Sequence, residues 1–223
     1  MWPSSAPQTS DDPLVLLVPG LNDSGPAHWQ SHWARERADC QKVELGRWSD
    51  PIRNMWVNKL NLELQRASRP IILVAHSLGC HVVAWWADYE RPSFGDPVIG
   101  ALLVAPPDVD DPAADPRLRR FAPTPEIELP FPAIVAASRN DPYMPIVKAR
   151  ELARTWGARF ADAGHAGHIN AASGLDDWPF GQFLLSRLAG TSAGTATRQE
   201  VIAPAAMLGS GASLPLPGLA AHH

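Results

Sequence analysis

Cysteine is scarce: Cys40 and Cys80 are the only two in 223 residues. They have no C-x-x-C spacing and no ordered partner histidines, so a zinc site is not expected. Two thiols in a chain of this length do not make a disulfide framework either. Free thiols in a reducing, cytoplasmic setting are the default. A basic stripe is also lacking. The formal net charge is -4, and short arginine pairs such as Arg119-Arg120 are no phosphate-binding patch, which argues against nucleic acid as a partner. No apolar run approaches the ~18 residues of a membrane span, and no membrane partner is expected. The polar opening Met1–Pro13 has neither a basic nor an apolar segment of the kind that marks a secretory signal. There is no internal repeat.

What is present is enough apolar residue for one sizeable core: 45% hydrophobic against 19% charged. Residues 1–13 are expected to be a flexible leader and 14–189 the folded domain. Residues 190–223, rich in Ala, Gly, Ser, Thr and Pro, are expected to be a flexible tail. It ends in His222-His223, and the sequence does not say whether that pair is native.

Short apolar runs predict strands over Leu14–Val18, Gln41–Leu45, Ile71–Ala75, Ile99–Val104, Ala133–Ala137 and Ala158–Ala161. Most lack polar alternation, as parallel strands buried on both faces do. Helices are predicted over Pro26–Arg37, from Asp50-Pro51 (cap and first turn) through Leu64, over Leu78–Tyr89, over Pro145–Trp156 with Gly157 as the stop, and after a capping Asp177. Alternating strands and helices predict an α/β fold with a mostly parallel sheet of about six strands, covered on both faces. Ligands bind such sheets beyond the carboxyl ends of the strands.

After the third strand stands Ala75-His76-Ser77-Leu78-Gly79. It is a variant of G-x-S-x-G, the sharp strand-to-helix turn that exposes a nucleophilic serine in α/β-hydrolases. Five loose positions recur by chance, and Ser77 could simply cap the next helix. The buried strand before it and the helix after it give the match its weight. A serine hydroxyl needs a base, and in this fold the acid and then the histidine follow in chain order. Asp141 follows the strand Ala133–Ala137. Asp108, Asp110 and Asp111 are rivals, but they sit in a Pro/Asp-rich loop that reads more simply as solvated surface. His165 and His168 share a glycine-bracketed loop near the end, and spacing leaves both open as the base. His28, His32, His76 and His81 come too early, and His81 is expected to be a packed core residue. Backbone N–H groups of Leu78 and of Leu21 or Asn22 could form an oxyanion hole. No metal and no cofactor is called for. Trp29 and Trp178 could line an acyl pocket, though core packing is the simpler role for each.

The segments PGLNDSGPAHWQSHW, AHSLG, SRNDPY and GHAGHIN, in this order, resemble the small serine-hydrolase family that includes retinoblastoma-binding protein 9 and bacterial YdeN-like proteins. The resemblance spans roughly Leu14 to Leu188. It implies a compact α/β-hydrolase without a large cap domain and a triad of Ser77, Asp141 and His168, the GHIN match selecting His168. It implies carboxylesterase activity on a small ester. Ala75 stands where glycine is often seen. The Leu-x-Cys-x-Glu segment is absent, so a retinoblastoma-type partner is not implied. The Pro-rich stretch between Val104 and Ala133 is too short for a lid domain. A small soluble ester or amide is therefore the expected substrate. Perhydrolysis and amide cleavage are variants on the same site, and a non-catalytic binding module on this scaffold is the rival function. Oligomeric state is left open.

Overall fold

The computed structural model describes residues 12–189. Most of the expected leader, and all of the expected tail with His222 and His223, lie outside the described residues. Six strands, β1 (Leu14–Val18), β2 (Cys40–Lys42), β3 (Ile71–His76), β4 (Val98–Val104), β5 (Ala133–Ala137) and β6 (Arg159–Asp162), form one sheet. Its order is β2-β1-β3-β4-β5-β6 and every pair is parallel.

Successive strand residues point to opposite faces, and here both faces are dry. Leu16, Val18, Leu73, Ala75, Leu103 and Val135 face one core layer. Val15, Leu17, Ile72, Val74, Leu102 and Ile134 face the other. The first layer is covered by α2 (Arg53–Arg66), α3 (Leu78–Glu90) and α5 (Ile146–Thr155). The second is covered by α1 (Trp29–Glu36) and α6 (Pro179–Ala189). The connection from β4 to β5 carries only the four-residue α4 (Pro116–Arg119), and no large cap is built from it. No described helix is long and apolar enough to cross a membrane.

Several boundaries shift by one to three residues from the pattern-based expectation, α1 for instance running only over Trp29–Glu36, and three differences have a visible cause. β2 ends at Lys42, although Val43 and Leu45 are buried. Its neighbour β1 stops at Val18 and gives way to Pro19, so the pairing ends with Val43 N–H donating to the Leu17 carbonyl. Helix α2 starts at Arg53, and Asp50 does not cap it, because its carboxylate is held by Arg47 and Arg120. Asp177 touches the last helix through its backbone: its carbonyl accepts Gln182 Nε2–H, while Pro179 fills the first helical position. Helix α5 does stop where expected: Gly157, at φ +63°, closes it with an N–H bond to the Arg154 carbonyl.

From β1 the chain moves outward to β2, and from β3 it moves the opposite way to β4. The carboxyl ends of β1 and β3 therefore flank the point where the winding reverses, the place where open α/β sheets form a crevice. The loops at Gly20 and Ser77 leave the sheet at that point.

Candidate active site

Ser77 sits between β3 and α3 at φ +53°, ψ −125°, a backbone region that L-residues rarely occupy and that costs of order 1–3 kcal/mol. Its N–H donates to the Val104 carbonyl at 2.9 Å, which ties the turn to β4. Gly79 allows the turn to press on β1: a β-carbon there would overlap the backbone oxygens of Val18 and Pro19. Gly20 does the same from the other side, since its β-carbon would meet Ser77 Cβ at 2.8 Å. The small residues flanking the serine are thus a steric requirement of the fold.

The structure brings Ser77, His168 and Asp141 together. His168 Nε2 lies 2.9 Å from Ser77 Oγ, and His168 Nδ1 lies 3.0 and 2.9 Å from the two oxygens of Asp141. A carboxylate only accepts, so the imidazole proton sits on Nδ1 and Nε2 is free to accept from the serine hydroxyl. Both partners are sheltered, with the Asp141 side chain 1% exposed and that of His168 9%. Tyr143 N–H fixes Asp141 Oδ1 at 2.9 Å, and the Tyr143 ring lies edge-on to the His168 ring at 4.5 Å. His165 is exposed on the same loop and takes no part in this chain of bonds.

The rival acids are engaged elsewhere. Asp108 pairs with Lys148, Asp110 accepts the Thr124 N–H, and Asp111 accepts the Ala113 N–H. Their loop is also less solvated than its composition suggests: Val109 is fully buried and the Pro107 carbonyl bonds His81. Of the proposed oxyanion donors, Leu78 N–H and Leu21 N–H donate to no described residue. Asn22 N–H is committed to the Trp48 carbonyl at 2.8 Å, so Asn22 is withdrawn as a donor. Trp29 and Trp178 are both buried and pack on each other, 4.8 Å between ring centroids, which is the core-packing role. An open groove of about 470 Å³ between Ile52, Arg53 and Arg120 contains none of these residues.

Sequence reasoning missed the residues that hold the loop bearing His168. The motif Ser138-Arg139-Asn140-Asp141 supplies most of them. Ser138 Oγ accepts Ala166 N–H, Asn140 Oδ1 accepts Gly167 N–H, and Arg139 N–H donates to the Gly164 carbonyl at 2.7 Å. Asp162, its side chain 5% exposed, accepts Gly164 N–H at 2.9 Å and pairs with Arg139 at 3.0 Å. The only advance signal was that these polar residues sit next to the acid.

The other histidines divide by burial. His81 is buried, as expected, and donates to the Pro107 carbonyl; burial lowers its pKa to about 4. Burial does the same for His28, with the neighbouring His168 adding to it. It pushes the Cys80 thiol up and the Cys40 thiol to about 11, so neither is an activated nucleophile. Among the described residues, His32, Glu36 and Asp177 bring one potential metal-ligand atom each within 4.8 Å of one another. Glu36 and Asp177 there are half exposed, and the group shares no residue with the serine–histidine–aspartate arrangement.

A parallel sheet, a strained serine turn at its winding reversal and a histidine delivered by the loop after the last strand define the α/β-hydrolase class. A family model described as serine hydrolase matches residues 15–187, and the chain belongs to that family. A crystal structure named as a YdeN-like hydrolase from Pectobacterium atrosepticum is 32% identical, covering 80% of this chain and 91% of that one, with a TM-score of 0.70. The ydeN gene product of B. subtilis is 20% identical over 80% of this chain and 99% of that one, with a TM-score of 0.65. Est1E from Butyrivibrio proteoclasticus, solved with ferulic acid bound, is 12% identical over 82% and 92% of the two chains (TM-score 0.57). The last two are likenesses of fold. Among curated protein sequences the chain has no significant match. The chain is thus a hydrolase of the serine-hydrolase family.

Proposed function

We propose that this protein is a carboxylesterase-like serine hydrolase acting on a small ester, with Ser77, His168 and Asp141 as its triad. The observation that carries this is the continuous chain from Asp141 through both His168 nitrogens to Ser77 Oγ, each link at 2.9–3.0 Å. His168 Nε2 takes the hydroxyl proton as Ser77 Oγ attacks the acyl carbon, and Asp141 stabilises the imidazolium and keeps its tautomer. The oxyanion is met by Leu78 N–H and, from the β1 loop, Leu21 N–H. The intermediate collapses with the leaving group taking the proton from Nε2. Water then gives a proton to Nε2, attacks the acyl-enzyme, and releases the acid as Ser77 regains its hydrogen. None of these steps uses a metal or cofactor.

The absence of a large cap favours a small soluble substrate over an interfacial lipid. The two free cysteines support a reducing, cytoplasmic location.

A fluorophosphonate probe and a panel of short-chain p-nitrophenyl esters test the proposal. The native protein is expected to label and turn over, and Ser77→Ala to do neither. Asp141→Asn is expected to lose about 10⁴ in kcat through the wrong tautomer. An unlabelled native protein, or equal labelling of Ser77→Ala, overturns the proposal and favours a binding module.

A further inference from the structure

We propose that His76, the residue before the nucleophile, is a positioning residue for the His168 base, its ring N–H holding the His168 carbonyl. The inference rests on the hydrolase proposal above and adds to it a residue outside the triad.

His76 is the last residue of β3. Ala75 faces the α3 side of the sheet, so the alternation of the strand turns His76 to the opposite layer, where Trp29 and Ile169 pack. There His76 Nε2 lies 3.0 Å from the His168 carbonyl oxygen. A carbonyl only accepts, so His76 carries its proton on Nε2. The next carbonyl, that of Ile169, accepts Trp29 Nε1–H at 2.8 Å. Two consecutive carbonyls are thus gripped by two ring N–H groups, in a stretch where Gly167 and Ile169 both have positive φ (+56° and +49°). The His76 ring also lies 5.0 Å from the His168 ring.

His76 is itself held. The His28 ring packs edge-on against it at 4.6 Å, and His28 is fixed by accepting Gln30 N–H on Nδ1 at the start of α1. Burial, with His28 and His168 close by, keeps His76 neutral. His76 therefore supplies a hydrogen bond without a second positive charge beside the imidazolium that forms on His168. A lysine or arginine could donate the same bond only by placing a permanent cation there. Placement matters because a shift of about 1 Å in a catalytic group can cost ~10² in rate.

His76→Phe keeps ring volume and removes the donor, whereas His76→Gln keeps an N–H at similar reach. For His76→Phe, kcat for p-nitrophenyl acetate is expected to fall by about 10–100-fold, with KM little changed. His76→Gln is expected to recover most of that loss. The downfield NMR resonance of the His168 Nδ1 proton, bonded to Asp141, is expected to shift or broaden in His76→Phe and return in His76→Gln. In the native protein, ¹⁵N NMR of the His76 ring is expected to show the neutral Nε2–H tautomer. A native Nδ1–H tautomer overturns the proposal whether or not the variants fold. So does wild-type kcat in a folded His76→Phe, or equal loss in both variants. A native protein that ignores the fluorophosphonate probe refutes the hydrolase proposal instead, and the two NMR readouts then still decide the placement of His168 by His76.

Discussion

Gly79 lies so close to β1 that a β-carbon on it would overlap the Val18 carbonyl oxygen, with the Pro19 oxygen next at 2.7 Å. Both obstacles are backbone, which cannot swing aside as a long side chain can. Overpacking a core costs about 1–3 kcal/mol, and Gly79→Ala is expected at or above the top of that range. At 2–4 °C per kcal/mol for a chain of this size, Tm should fall by roughly 6–12 °C. A thermal melt checks it, and a Tm within about 2 °C of wild type would show that β1 and α3 can separate freely.

Ser77 is strained in its resting conformation, at φ +53°. Glycine adopts that conformation without a Cβ penalty. Ser77→Gly and Ser77→Ala are both expected to be inactive, but the glycine variant should be the more stable by ~1 kcal/mol, the low end of the strain range. Urea unfolding of the pair measures the difference. An alanine variant of equal or greater stability would mean that the turn stores no strain.

Asp162 is remote from the reacting atoms, yet it joins β6 to the loop that delivers His168. It accepts Gly164 N–H and pairs with Arg139, and Arg150 lies 3.6 Å away. Arg139 is 54% exposed and can return to water, so Asp162→Ala leaves no buried cation behind. The cost in stability is expected at about 1–3 kcal/mol, that of one unsatisfied buried amide. Under the proposed function, kcat for p-nitrophenyl acetate should fall while the mutant stays folded, because Gly164 starts the turn that carries His168. Unchanged kcat would mean that Ser138 and Asn140 suffice to hold the loop.

How far the residues themselves announced this architecture depends on whether local pattern or distant partners decide. The strands at Leu14–Val18 and Ala133–Ala137 have the bounds that the apolar runs predict, since burial on both faces leaves an unbroken apolar signature. The end of β2 and the start of α2 were not legible. One depends on where β1 runs out, the other on Arg120, 70 residues from the Asp50 it captures. The same holds at the site. The elbow motif in its strand–helix setting points to Ser77 and chain order to Asp141, but choosing His168 over His165 needs a family likeness, and His76 comes too early to be the base. Chain order ranks candidates for chemistry. It carries no information on which side chain holds the backbone of another.

His28 and His81 tie stability to pH. Burial lowers each to about 4 from a usual 6.5, so the folded protein holds them neutral while the unfolded chain protonates them near 6.5. Between those values the unfolded state binds more protons, and stability falls as pH falls. The contribution is complete above about pH 6.5 and lost progressively down through about pH 4. At 1.36 kcal/mol per pKa unit it amounts to roughly 3 kcal/mol for each histidine. Around His28 stand Asp23, which opposes the lowering, and His32, Lys42 and His168, which add to it; Asp108 and Asp110 oppose it at His81. Wild-type Tm is therefore expected to drop between pH 7.5 and pH 4.5. His28→Asn replaces the Nδ1 acceptor at the start of α1 with an amide oxygen, a favoured cap, and removes the titration. Its Tm should fall less steeply over the same interval. Parallel curves for the two proteins would mean that His28 protonates as readily in the fold as in the open chain.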